Sequence, residues 1–150
     1  MIALSQHRVV IDTNVLFEGL TKTGGSAGLI VDAWNADVLS VHISTALVYE
    51  YEDVLSRKLS KARWQRLKPL LVLLIAKARF TSIYFSWRPS SPDACDDLVI
   101  DCAMSARATV ITSNLRDFKV AQSSLGLKVL TPGQLVTTLL STELLLGDES

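Results

Sequence analysis

Short runs of β-branched and aliphatic residues alternate along this chain with longer stretches whose apolar positions recur every three or four residues. That alternation predicts strand–helix–strand units around a parallel sheet. Residues 8–12, Arg-Val-Val-Ile-Asp, form the first expected strand. Ala27, Leu29, Ile30, Ala33 and Trp34 fall at helical spacing within 24–36, and residues 38–43 follow as the second strand. Ser44 or Thr45 can cap a helix reaching about residue 59, and Ser60 can cap the next one. Pro69 lacks the N–H that an interior helical position uses, so it is expected to divide that stretch in two. Residues 83–87 are expected as the third strand, 93–107 as a helix, 109–112 as the fourth strand and 128–130 as the fifth. Thr131-Pro132 has the form of an N-cap followed by proline at the first helical position, opening a last helix to about residue 140. Residues 141–150 are apolar and then acidic, and are expected as a frayed or partner-held tail.

Composition narrows the class. A chain of 150 residues, 49% hydrophobic and 20% charged, buries one core and is expected to be one domain over 1–150, with its core at about 8–140. A mean hydropathy of +0.31 excludes a disordered chain. Fifteen basic residues balance fifteen acidic ones, so no global field directs the protein to a polyanion or a membrane surface. The longest apolar run, 70–76, is too short to cross a bilayer, and no basic segment precedes an apolar one at the N-terminus. The expected location is the cytoplasm. Cys95 and Cys102 are seven residues apart in one helix, about 10 Å and too far for a disulfide, which fits reduced thiols. His7 and His42 have no zinc-like spacing with them and are expected to be structural or surface residues.

The chemistry lies in acids near strand ends, because open parallel sheets bind ligands beyond the carboxyl ends of their strands. The first strand runs Val9-Val10-Ile11 into Asp12-Thr13-Asn14, placing a carboxylate where desolvation is costly without a cation or donors. Capping of the following turn is the alternative role for Asp12. In the next region Leu47, Tyr51, Val54 and Lys58 share a helix face, and Glu50 lies about 60° from Leu47 on its flank, while Glu52 and Asp53 fall toward solvent. Glu50 is the acid able to face inward there, or else a surface partner of a lysine. Farther along, Val99, Cys102, Ala103 and Ala106 define an apolar face. That phase sets Asp96 about 60° from the centre of the face and turns Asp97 and Asp101 outward. Asp93 and Asp96 can alternatively serve as N-cap and first-turn acid. After the fourth strand, Thr112 and Asn114 supply a hydroxyl and an amide, and Asp117 follows in a loop or helical turn, with capping as the alternative role.

Taken together, Asp12, Glu50, Asp96 and Asp117, with Asp93 nearby, are expected to share one cleft and to repel one another without a divalent cation. Oxygen-only donors favour Mg²⁺ or Mn²⁺, and phosphodiester hydrolysis is the chemistry such an ion supports. Two other classes stay open. One is phosphoryl transfer through an aspartyl phosphate at Asp12, against which Asn14 stands where such enzymes usually have a second Asp. The other is a non-catalytic module binding RNA or protein.

Four segments, Val10-Ile-Asp12-Thr-Asn-Val-Leu16, Leu47-Val-Tyr-Glu50-Tyr-Glu-Asp-Val-Leu55, Pro92-Asp93-Ala-Cys-Asp96-Asp97 with Ala103, and Ile111-Thr-Ser-Asn114-Leu-Arg-Asp117-Phe118, resemble in order the motifs of PIN-domain nucleases. The similarity is strongest to the group of bacterial toxin–antitoxin toxins and covers residues 8–130 approximately. It implies a metal-dependent ribonuclease on a Rossmann-like α/β/α sandwich with a central parallel sheet, commonly dimeric and inhibited by a small antitoxin protein. By position, Asp12, Glu50, Asp96 and Asp117 match the acidic quartet, Asp93 an acid frequent in the subgroup, and Thr112 and Asn114 the polar strand-end residues. Thr13 and Asn14 join them as supporting polar groups. The chain departs from the pattern in carrying Asp97 beside Asp96, and in placing Asn114 where an earlier acid often stands.

No acid occurs between Asp53 and Asp93, whereas that interval holds nine of the fifteen basic residues. Arg57, Lys58, Lys61, Arg63 and Arg66 are the candidates for attracting an RNA backbone, or an acidic antitoxin. Trp64 and Trp87 are expected in a core or dimer role rather than as stacking platforms. The aliphatic run 70–76 is richer than one exposed helix should carry and predicts burial in a homodimer.

Overall fold

The computed structural model describes residues 7–84 and 94–148, without the side chains of 94, 95 and 142–148. In chain order its elements are β1 (Arg8–Ile11), α1 (Thr13–Thr21), α2 (Gly25–Asn35), β2 (Ser40–Ile43), α3 (Thr45–Lys58) and α4 (Lys61–Lys77). They continue with β3 (Arg79–Phe80), α5 (Ala94–Ala106), β4 (Thr109–Ile111), a 3₁₀ turn (Leu115–Phe118), α6 (Lys119–Leu125), β5 (Val129–Leu130) and α7 (Pro132–Asp148). All five strands pair in parallel in the order β3-β2-β1-β4-β5, with helices on both faces, so the parallel sheet expected from the alternation and the α/β/α sandwich implied by the resemblance are the fold. β1 is the centre of this sheet. Its Val9, Val10 and Ile11 are buried because both neighbouring strands and both helical layers cover them.

Local chemistry explains most element ends. The hydroxyls of Ser44 and Ser60 accept the N–H groups of Leu47 and Arg63, capping α3 and α4 as expected. Thr131 and Gln134 exchange reciprocal bonds in a capping box that opens α7. α1 and α2 lie close enough that a Cβ on Gly19 would stand 2.5 Å from Val31 Cγ2, so only glycine permits their contact.

Several expectations are corrected. Pro69 does not divide its helix, since α4 runs continuously through it. One missing bond inside a long helix does not outweigh a face anchored by buried Leu71 and Leu74. The third strand is Arg79–Phe80 rather than 83–87; Ile83 and Tyr84 are outside any strand, and 85–87 lie outside the described residues. Both strand residues are exposed, so this edge strand has no apolar alternation to betray it. The last helix continues to Asp148, past the expected end near 140. No described helix is long and apolar enough to cross a membrane.

Candidate functional site

The carboxyl ends of the two central strands place the first cluster. β1 stops at Ile11 and α1 begins at Thr13, so Asp12 sits at the turn, 4% exposed. Its N–H bonds to the Ile111 carbonyl on β4, and its own carbonyl accepts from Val15 and Leu16 as the helix starts. No side-chain cap bond from Asp12 to α1 forms, which leaves its carboxylate available for a different partner. That partner is the fully buried Thr112, whose hydroxyl donates to Asp12 Oδ2 at 2.7 Å. The same hydroxyl accepts the Asn114 N–H at 3.0 Å, so the end of β4 is tied into a short polar chain. Thr13 is buried behind Asp12 and Asn14 is exposed.

Tyr51 on α3 completes the scaffold. β1 and β2 are in register at Arg8 with Ser40 and Val9 with Val41, and at the end of β1 the Ile11 carbonyl accepts the Tyr51 hydroxyl at 2.5 Å. This ring is entirely buried, and burial, with Cys102 and Asp12 adding negative charge nearby, pushes its phenol well above the ordinary value. It therefore remains a neutral donor. Cys102 is a buried free thiol, pushed up to about 12 by burial and by Asp101 beside it, which suits a packing role rather than a nucleophilic one.

α5 overturns one expectation. Asp97 and Asp101, predicted to face solvent, are 5% and 3% exposed, whereas Asp96 is half-buried. The helix packs against β1, β2, β4 and α3, and Val99, Ile100, Cys102, Ala103 and Ala106 together with the two acids are buried around most of its circumference. An apolar stripe marks the inward face only when a helix has a solvent side, and here the acids share the interior. Asp101 and Asp97 stand one turn apart on the same side of that helix. Among the described residues, burial is the signal that sequence periodicity missed.

The other candidates are more peripheral. Glu50 is half-buried on α3. Asp117 lies in the 3₁₀ turn, where the Asn114 amide donates to its Oδ2 at 2.5 Å, so Asn114 positions this acid rather than merely turning the chain. Asp93 lies outside the described residues. Among the described residues no three acids, histidines or cysteines stand together at ligand spacing. Asp12, Asp97 and Asp101 are each buried carboxylates, and oxygen donors of that kind suit a hard cation rather than a soft one.

Much of the basic arm is engaged structurally. Arg57 pairs with Asp53 at 3.4 Å on the surface, Lys58 Nζ lies 5.4 Å from the Phe17 ring centre, and Arg63 Nη2 donates to the Thr21 carbonyl at 2.7 Å. Lys77 likewise bonds the Asn35 carbonyl, so α4 caps the C-terminal ends of α1 and α2 with cations. Lys61 and Arg66 remain exposed. Trp64 is half-buried with Lys68 Nζ 6.0 Å from its ring centre, and Trp87 lies outside the described residues.

The fold resembles solved structures of low sequence identity. VapBC2 from Rickettsia felis, solved bound to a DNA fragment from its promoter, superposes with a TM-score of 0.60 at 14% identity, covering 83% of this chain and 98% of that one. FitAcB from Neisseria gonorrhoeae gives 0.59 at 20% identity, over 83% and 97%. PAE2754 from Pyrobaculum aerophilum gives 0.56 at 12% identity, over 93% and 92%. No curated protein sequence matches the chain. Residues 8–116, from the first residue of β1 to the turn beyond β4, match the PIN domain model, and the chain belongs to that family.

Proposed function

We propose that the protein is a Mg²⁺- or Mn²⁺-dependent endoribonuclease acting as the toxin of a toxin–antitoxin pair. The observation that carries this reading is a carboxylate, Asp12, buried at the end of the central strand and held by Thr112 from the adjacent strand. PIN family membership and the fold likeness to VapBC2 and FitAcB support it. Asp12 would hold the metal with the enclosed Asp97, while Glu50, Asp96, Asp117 and Asp93 are the further candidates for donors. A divalent ion there would polarise a phosphoryl oxygen and lower the pKa of an attacking water.

The chain's own groups prepare that chemistry. The Thr112 hydroxyl occupies one lone pair of Asp12 and fixes the plane of its carboxylate. Tyr51 fixes the backbone one residue earlier, and Asn114 orients Asp117. A carboxylate not engaged with metal can accept the proton of the attacking water. Lys61 and Arg66, exposed and within the acid-free interval between Asp53 and Asp93, would attract the RNA backbone. A small antitoxin protein and a homodimer complete the assembly we propose, with exposed Val72 and Leu73 on α4 as the dimer contact.

The test is cleavage of single-stranded RNA by the purified protein with Mn²⁺, Mg²⁺ or EDTA, beside Asp12→Asn. Metal-dependent cleavage that disappears in the variant is expected. A wild type that neither cuts RNA nor gains thermal stability from Mn²⁺ would overturn the reading. Sedimentation showing a monomer at micromolar concentration would remove the dimer alone.

A further inference from the structure

The sheet has a second end. Beyond the amino ends of β1, β4 and β5, away from Asp12, lies a cleft of about 480 Å³. Its floor includes the buried side chains of Val9, Ala103, Leu127 and Leu135. Among the described residues, the charged or titratable groups lining it are all basic or imidazole, namely His7, Arg8, Arg107 and Lys128. Arg8, Arg107 and Lys128 are exposed, and none forms an ion pair with any described residue.

Two helix ends border this cleft and are closed differently. α6 ends at Gly126, with φ of 70°, where glycine is the usual residue. α5 is closed by Arg107, with φ of 54°, while the N–H groups of Arg107 and Ala108 return to the carbonyls of Met104 and Ala103. A side chain in this left-handed conformation carries a steric cost that glycine avoids. Arg8 donates one guanidinium N–H to the Ala106 carbonyl at 3.5 Å, which holds it beside Arg107 at the end of α5. An arginine in the left-handed conformation beside two further cations points to a use for its guanidinium where it stands.

We propose that this cleft binds a nucleoside di- or triphosphate, its phosphates on Arg8, Arg107 and Lys128 and its base and sugar on the apolar floor. Two guanidinium forks match phosphate oxygens in paired bonds, and three full positive charges match a polyphosphate rather than a single carboxylate. A bare polyphosphate would leave the floor unused. Gly126 leaves one wall without a side chain, and a Cβ there would meet nothing within 4 Å, so a flat ring can lie against it. The volume falls within the usual range of small-molecule sites, about 300 to 1,000 Å³.

This site is independent of the nuclease reading and is tested on the intact chain by thermal melting and calorimetry with ADP, pyrophosphate and adenosine as probes. ADP at about ten times its Kd should raise Tm by about 3 to 6 °C, with each fragment doing less. Arg107→Gly should melt at or above the wild-type temperature without ligand, since glycine suits its backbone, yet lose the ADP response. Arg8→Gln should weaken ADP about tenfold. Absence of an ADP shift at millimolar concentration, an undiminished shift in Arg107→Gly, or pyrophosphate acting as strongly as ADP would each overturn the proposal.

Discussion

α3 and α5 both pack beside the end of β1, and both carry acids, but they bury opposite parts of their polar inventory. α3 keeps Asp53 in solvent and Glu50 half-exposed, and beside its buried aliphatic residues sends inward the Tyr51 ring with its hydroxyl satisfied by the Ile11 carbonyl. α5 encloses Asp97 and Asp101 together with its aliphatic residues. The difference follows from surroundings. A helix with one packed side sorts its residues by polarity, whereas one wedged among three strands and another helix must accommodate whatever polar groups the function retains. Polar residues on the first kind of helix are mostly solvated; on the second kind they are expensive, and therefore informative.

The largest test of this contrast is on catalysis. Asp97→Asn on the enclosed helix should lower metal-dependent RNA cleavage about a hundredfold or more, with a parallel loss of Mn²⁺-induced stabilisation. Asp53→Asn, on the exposed flank of α3, should leave cleavage unchanged. Equal activity in the two variants would mean that enclosure on α5 serves packing alone. Tyr51→Phe should come next: it keeps the ring but strands the buried Ile11 carbonyl, lowering stability by about 1 to 3 kcal/mol in urea titrations. Thr112→Val removes the bond to Asp12 while keeping the volume of the side chain, and should weaken Mn²⁺ binding about tenfold with a smaller change in the urea midpoint.

A smaller effect belongs to β2, beside the edge strand β3. The His42 ring bonds with Ser40 and Thr81, and burial, reinforced by Arg8 and Arg79, holds it below its ordinary value of 6.5. In the interval between the lowered and ordinary values the unfolded chain binds more protons than the folded one. Stability from this group is therefore intact above 6.5 and is lost as the pH falls through the lowered value. Urea midpoints for the wild type should decline on acidification more than those of His42→Gln. The smallest change is expected for Arg57→Ala, whose partner Asp53 is as exposed as the arginine itself; its stability should stay within about 0.5 kcal/mol of wild type.

The contrast between the two helices also marks what could be read before the structure. Leu47, Tyr51 and Val54 carry the phase of α3 in their spacing, and they are buried as expected. Asp12 was legible because three consecutive buried aliphatic residues lead into it. Asp97 was not, because assigning the inward face from apolar residues assumes that acids point outward. The two-residue strand β3 is too short and too exposed to leave a pattern, and α1 was missed because its Thr-Asn start follows the strand without a loop. The bonds from Thr112 to Asp12 and from Tyr51 to Ile11 join residues far apart in the chain and leave no local trace.

The Thr112–Asp12 bond spans 100 positions of sequence, and β1 meets β4 only across the same distance. During synthesis, β1, β2 and the intervening helices can pair soon after they emerge, since their contacts are nearer in the chain. The second side of β1 must wait for β4, and closing so long a loop favours its late formation. A nascent chain ending before residue 109 thus carries Asp12 on a partly built sheet, without the hydroxyl that orients it. Assembly order alone delays the finished carboxylate until the chain has been made through Thr112.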